Sequence, residues 1–211
     1  MIIQDQTATL AFLETQATQS RGERDVKTIQ THISEVGLAG ALAFKLKRAV
    51  RLPYVDFSTV GKRLDACLKE LELNRRTAPS LYRAVRRITQ QPDGGLTFDG
   101  DGKLVDAVVE MARFDESSLF NRLAHQGGIS LKLLTELARA IANFHKAAPV
   151  SHNRTGATNI ASVININQKA LQTARILAPR LVSEYIIALN HVFDRNLSLL
   201  NKRECVGKIR R

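Results

Sequence analysis

The chain has 211 residues, 44% apolar and 24% charged, a globular composition that excludes a disordered or collagen-like polymer. Two cysteines are too few for a disulfide framework or for a four-ligand zinc site without histidine, and no run reaches the ~18 apolar residues of a membrane span. The net charge of +11 is uneven, at −1 over residues 1–30, +7 over 31–91, −2 over 92–150 and +7 over 151–211, which favours anionic partners such as a nucleotide, a nucleic acid or an acidic surface.

No basic stretch precedes an apolar run at the N-terminus, so a cytoplasmic protein is expected. Residues 1–20, with Leu10, Ala11, Phe12 and Leu13, read as a short helix or a loose arm. Val26 to Val36 is rich in β-branched residues and predicts a strand, broken by Gly37 to Gly40. Leu42 to Lys47 alternates, placing Leu42, Phe44 and Leu46 on one face and Ala43, Lys45 and Lys47 on the other, so the two runs predict a hairpin. Ser58 is a good N-cap for a helix carrying Val60, Leu64, Cys67, Leu68 and Leu71 and ending near Arg75 and Arg76, before Pro79. Leu81 to Thr89 predicts a strand and Pro92 to Gly95 a turn. Leu96 to Phe98 and Leu104 to Ala112 predict a second hairpin. Beyond Phe114 the pattern is helical. One helix holds Leu119, Phe120 and Leu123 and closes at Gly127 and Gly128; Ser130 caps a second, with Leu134, Leu137, Ile141, Phe144 and His145 on one stripe. A polar loop at 149–158 precedes helices over 160–178 and 180–200, broken at Pro179, and a basic tail without clear pattern. The order predicts an α+β fold in two parts, with the boundary near Phe114 and Asp115.

One constellation carries chemistry. Ala43 and Lys45 share a strand face, so a flat base can lie on the alanine while the ammonium reaches phosphate. Glu70, on the next helix beside the apolar stripe, can point back at that lysine. The spacing is that of V-A-I-K and its helical glutamate. Thr31-His32-Ile33-Ser34, Ala43-Phe44-Lys45-Leu46-Lys47, Asp56-Phe57-Ser58-Thr59 and Glu70-Leu71-x-Leu73-Asn74-Arg75-Arg76-x-Ala78-Pro79-x-Leu81-Tyr82 resemble the N-terminal part of the aminoglycoside phosphotransferase-like kinases. Within these they are most similar to a bacterial branch often fused to a P-loop ATPase domain. Val109-Glu110-Met111-Ala112-Arg113-Phe114 resembles that branch's hinge, and Ala142-Asn143-Phe144-His145 the end of a later helix.

The resemblance runs from about Val26 onward and implies a protein-kinase-like N-lobe, an antiparallel sheet plus one helix, over 26–114. It further implies an arm over 1–25 and the first helices of a truncated helical C-lobe over 115–211. It implies ATP with magnesium as cofactor. Lys45 would contact the phosphates, Glu70 would orient it, Ala43 would carry the base, and backbone near Glu110, Met111 and Arg113 would meet the adenine edge. The Thr31–Gly40 region would cover the phosphates, though only Gly37 and Gly40 stand where the pattern has three glycines. The family's catalytic segment, roughly C-H-G-D-L-H-x-x-N, has no counterpart, since no His-Gly-Asp occurs and the chain stops where the segment is due. No G-x-x-x-x-G-K-[ST] occurs either. A phosphate-positioning lysine without base or metal ligands binds but has little means of transfer, so the expectation is a nucleotide-binding portion inactive alone.

Blander and rival readings stand beside this one. Lys45 and Lys47 also fit solvated strand lysines, with the choice of phosphate lysine open and Ala43 favouring Lys45. Glu70 also fits a surface glutamate, with Glu72 the competing carboxylate on a different face. His32 fits a structural or a nucleotide-contacting role, His145 a packed helix end, and Cys67 a small core residue. An interaction module of pseudokinase type would self-associate or bind a protein through exposed C-lobe helices. Arg75, Arg76, Arg83, Arg86, Arg87 and the tail allow a nucleic-acid binder, although aromatics are 5% and tryptophan is absent.

Overall fold

A computed structural model describes residues 4–19, 28–151, 156–174 and 176–210. Helix α1 (Thr7–Gln19) begins where the Asp5 carboxylate accepts hydrogen bonds from the Thr7 N–H at 2.9 Å and the Thr7 hydroxyl at 2.6 Å. Strands β1 (Thr28–Gln30) and β2 (Ser34–Ala39) are joined by a turn that Thr31 staples, its hydroxyl accepting from the Ser34 N–H and donating to the Ser34 carbonyl, each at 3.0 Å. Gly40, with φ 55°, turns β2 into β3 (Leu42–Lys47), a left-handed conformation that costs glycine no Cβ clash. A short ribbon of β4 (Arg51–Leu52) and β5 (Val55–Asp56) leads to helix α2 (Val60–Asn74). Strands β6 (Tyr82–Gln90), β7 (Leu96–Phe98) and β8 (Lys103–Ala112) complete an antiparallel six-stranded sheet of order β1-β2-β3-β8-β6-β7.

The sheet has two different faces because side chains alternate along each strand. On one, Phe44, Leu46, Ile88 and Val108 form a core that α1 covers with Leu10, Phe12 and Leu13. On the other, Cys67 of α2 packs on Ala107 and Val109, with Leu64, Tyr82, Val85 and Met111 around it. Each fully buried aliphatic side chain of these clusters stabilises the fold by ~1.5–3 kcal/mol. Residues 7–19 are therefore a docked helix and not a loose arm.

Several expectations are corrected. The strand expected over Val26–Val36 is interrupted at Thr31–Ile33, where the Thr31 staple reverses the chain; Val26 and Lys27 lie outside the described residues. The following reversal is at Gly40, with Gly37 inside β2. Ser58 does not cap α2: its N–H and hydroxyl both donate to Asp56 Oδ1, at 3.0 and 2.5 Å, and Thr59 caps instead, accepting from the Lys62 N–H at 3.3 Å. The expected β7–β8 hairpin does not form. β7 pairs with β6, and β8 inserts between β3 and β6, where Ala107, Val108 and Val109 are buried on both faces.

The chain divides into two compact units, Met1–Ile129 and Ser130–Arg211. A 3-10 turn at Glu116–Ser118 and helix α3 (Phe120–His125) belong to the first. The second holds α4 (Leu131–Ala147), capped by Ser130 as expected, α5 (Gly156–Thr173) and α6 (Pro179–Cys205). The expected helices over 160–178 and 180–200 differ at their ends. The first starts at Gly156 and stops at Thr173, and the second opens on Pro179 and absorbs the start of the basic tail. Proline is well placed there, since its missing N–H would find no partner at a helix's first position. Gly156 opens α5 beside Ile209, whose Cδ1 would have to shift to admit a Cβ there. No helix of the described residues is long and apolar enough to cross a membrane.

Candidate functional site

The candidate site lies in the first unit, on the sheet face shared with α2. β3 presents Ala43, Lys45 and Lys47 to this face because they alternate with the core residues Phe44 and Leu46. Helix α2 presents Glu70 one turn beyond Cys67, which anchors the helix against Ala107 and Val109. Lys45 Nζ donates to Glu70 Oε1 at 2.9 Å, and Lys47 Nζ pairs with Glu70 Oε2. The side chains are 28% (Lys45), 7% (Lys47) and 12% (Glu70) exposed. Burial pushes the Glu70 carboxyl up, but the hydrogen bonds from Lys45 and Lys47 outweigh it and hold the group below its ordinary value. Burial also raises the Cys67 thiol to about 12 and, aided by the Glu70 charge, raises the Tyr82 phenol.

Beside this pair opens a cleft of about 580 Å³, within the range of ~300–1,000 Å³ usual for small-molecule sites. Val36, Leu38, Ala43, Leu81 and Met111 make it apolar, and Lys45 supplies a cation. The Thr31–Ser34 turn also lines it. Ser34 is buried, and its hydroxyl has no hydrogen-bond partner among the described residues. An orphan buried hydroxyl is costly unless something pairs with it. Phe114, just beyond β8, lines the cleft too.

The structure thus gathers Ala43, Lys45, Met111 and Arg113 around one cleft with Glu70 against Lys45. The Arg113 N–H donates to the Ala41 carbonyl at 2.8 Å. Glu110 stands apart. It is opposite Phe44 in the register, so its side chain is on the other sheet face, bonded to Arg86 Nη1 at 3.1 Å. Glu72 pairs with Lys69 at 2.8 Å, two positions from Glu70 and on another side of α2. His32 lines the cleft and meets the Tyr54 ring edge-on at 6.3 Å, while His145 lies in the second unit near Phe144. Among the basic residues, Arg75 Nε donates to the Tyr82 carbonyl at 3.0 Å, Arg86 pairs with Asp99 and Glu110, and Arg87 Nη2 donates to the Gly100 carbonyl at 3.3 Å. Lys47 as a second partner of Glu70 lies beyond the sequence expectation, and its alternation with Lys45 is the signal for it. Ser34 is expected only as part of the Thr31–Gly40 region and Tyr82 only as part of the motif that starts at Glu70, neither with a role of its own.

Comparison with known proteins finds relatives described as uncharacterized. Uncharacterized proteins of Mycobacterium bovis and of two strains of Mycobacterium tuberculosis are each 28% identical to this chain over 170 residues, covering 80% of it. The match is 32% of each relative, so the chain spans about a third of their length. No family model and no solved structure matches the chain.

Proposed function

We propose that the first unit is a nucleotide-binding lobe of the protein-kinase-like type, similar to the aminoglycoside phosphotransferase-like kinases, and that this polypeptide binds ATP without transferring phosphate by itself. The observation that carries the proposal is the Lys45–Glu70 ion pair at 2.9 Å, made between β3 and α2 at the side of an apolar cleft. An ammonium fixed by a helical carboxylate is a phosphate-positioning device, and Ala43 on the same face leaves room for a flat ring. The orphan Ser34 hydroxyl fits a ligand with oxygen acceptors. Lys45 and Ser34 would meet phosphate, and Ala43, Val36, Leu38 and Met111 would enclose the base. For magnesium, which the resemblance implies with ATP, no group of three or more His, Cys, Asp or Glu side chains comes together among the described residues. The chain contains no His-Gly-Asp segment, the family's source of the base that takes the acceptor's proton.

Calorimetric titration with ATP tests the proposal. Binding is expected with Kd of about 0.1–1 mM, weakened about tenfold or more by Lys45→Met, and no phosphate should reach a small hydroxylated acceptor. Absence of ATP binding overturns the first part, and turnover by the purified chain overturns the second.

A second reading has its own observation. Leu131, Leu134, Leu137 and Ile141 form an exposed stripe on α4, which favours an interaction module that associates with itself or with another protein.

A further inference from the structure

Two lysines contact one carboxylate, and they are not equivalent. Lys45 lines the cleft, has the more exposed side chain of the two, and is held by Glu70 Oε1. Lys47 is behind it, nearly buried, on Glu70 Oε2. Its ammonium lies 5.7 Å from the centre of the Phe57 ring, and its carbonyl accepts from Gln6 Nε2 at 2.9 Å. The rear lysine is therefore fixed at both ends, whereas the front one has a single carboxylate oxygen and an open side.

The charges do not cancel. Two ammonium groups and one carboxylate leave one positive charge in excess. The other titratable groups facing Glu70 are Cys67 on α2 and Tyr82 on β6, whose protonated forms burial favours, so neither supplies an anion at neutral pH. Asp106 on β8 is taken by Arg63, at 2.8 Å. Asn74 Nδ2 donates to the main-chain carbonyl of Glu70 and leaves the carboxylate alone. A partly buried cation without an anion is poorly solvated, and an anion entering the cleft relieves it.

We infer that Lys47 is a positioning residue that fixes the Glu70 carboxylate from behind and so leaves Lys45 as the movable ammonium for an anionic group in the cleft. With one lysine, transfer of that lysine to a phosphate would strand a half-buried carboxylate. With two, Glu70 keeps a partner whichever way Lys45 turns. The identity of the anion as a nucleotide phosphate rests on the function proposed above; the holding of Glu70 by Lys47 does not.

The test starts on the full chain without ligand. The Glu70 carboxyl is followed by 13C NMR as pH falls, with its signal assigned by Glu70→Gln. The Glu70 midpoint is expected to stay low in Lys45→Met and to rise to or above the ordinary glutamate value of about 4.3 in Lys47→Met. Equal shifts in the two variants, or the reverse order, overturn the inference. Lys47→Gln, which keeps a donor without the charge, repeats the measurement. Should both Lys47 variants unfold while Lys45→Met folds, Lys47 is structural and the inference falls.

A second arm adds ATP and, separately, inorganic pyrophosphate. With ligand bound, the wild-type Glu70 midpoint is expected to stay low, and Lys47→Met should bind about tenfold more weakly while remaining folded. Unchanged affinity in Lys47→Met overturns the link to anion binding. If the wild type binds pyrophosphate but not ATP, the nucleotide proposal fails while this inference stands. If it binds neither, the role of Lys45 toward an anion is overturned, and the ligand-free titration decides whether Lys47 holds Glu70.

Discussion

Arg63 is a charged side chain on α2 with no exposure to solvent, and its burial has a definite basis. Its guanidinium donates to Asp106 Oδ1 at 2.8 Å and Oδ2 at 3.0 Å, to the Phe57 carbonyl at 3.1 Å and to Gln4 Oε1 at 2.9 Å. Asp106 also accepts from Gln6 Nε2 at 2.8 Å and from the Ala107 N–H at 2.9 Å. The segment before α1 is thereby tied to α2 and β8 through one satisfied network. Arg63→Met leaves the Asp106 carboxylate buried and unpaired, and is expected to cost ~3–5 kcal/mol in urea unfolding. The double change with Asp106→Leu should recover much of that loss, since it removes both charges. A cost below ~1 kcal/mol for the single variant would mean that the pair acts like an exposed one. Glu70 sets a pH dependence at the same scale. Its folded value lies below its unfolded value of about 4.3, so its stabilisation is complete above that pH and is lost as pH falls toward the folded value. The melting temperature of the wild type should therefore drop more steeply than that of Glu70→Gln between roughly pH 5 and pH 3. Parallel slopes would contradict the shift.

Helix α2 carries both of these residues, so its start matters to the site. Thr59→Ala removes the cap hydrogen bond and is expected to cost ~1 kcal/mol in thermal unfolding, whereas Ser58→Ala should act only through the Asp56 turn and cost less. The reverse ranking would show that the cap is misplaced. This helix also marks how far sequence reaches. Val60, Leu64, Cys67 and Leu71 recur at helical spacing, and Leu42, Phe44 and Leu46 alternate, so α2 and β3 are legible from neighbours along the chain. With those two elements placed, the face of Lys45 follows and Glu70 is its candidate partner. The sheet order was not legible. β8 joins β3 and β6, and nothing within β8 names strands so distant in sequence. The same limit hid the inward roles of Arg63 and Lys47. Their burial depends on Asp106, Phe57 and Gln6, which other elements bring. The Thr31 reversal is not legible because a main-chain bond and a hydroxyl staple between Thr31 and Ser34, and not glycine or proline, make it.

At the scale of the whole molecule, the two units differ in how they hide apolar surface. The first buries Phe44, Leu46, Ile88, Val108 and Val109 between α1, the sheet and α2. The second packs α5 on α6 but leaves large apolar side chains in water, among them Leu131 at 83% and Ile187 at 69% exposure. On α4 the exposed residues Leu131, Leu134, Leu137 and Ile141 follow spacings of three, three and four, so they form one stripe and not scattered positions. Such a stripe is what one helix offers another, and ordinary surfaces of single chains seldom carry it. The mycobacterial relatives are about three times as long as the region they share with this chain. The 211-residue chain by itself is expected to associate. Sedimentation velocity should show an average mass that rises with protein concentration, and the double change Leu134→Glu and Ile141→Glu should shift it to the monomer without lowering the melting temperature of the first unit. A monomer at every concentration would mean that the stripe drives no self-association. If instead the double variant is unfolded throughout, the stripe belongs to the core of the second unit and is not a surface offered to a partner.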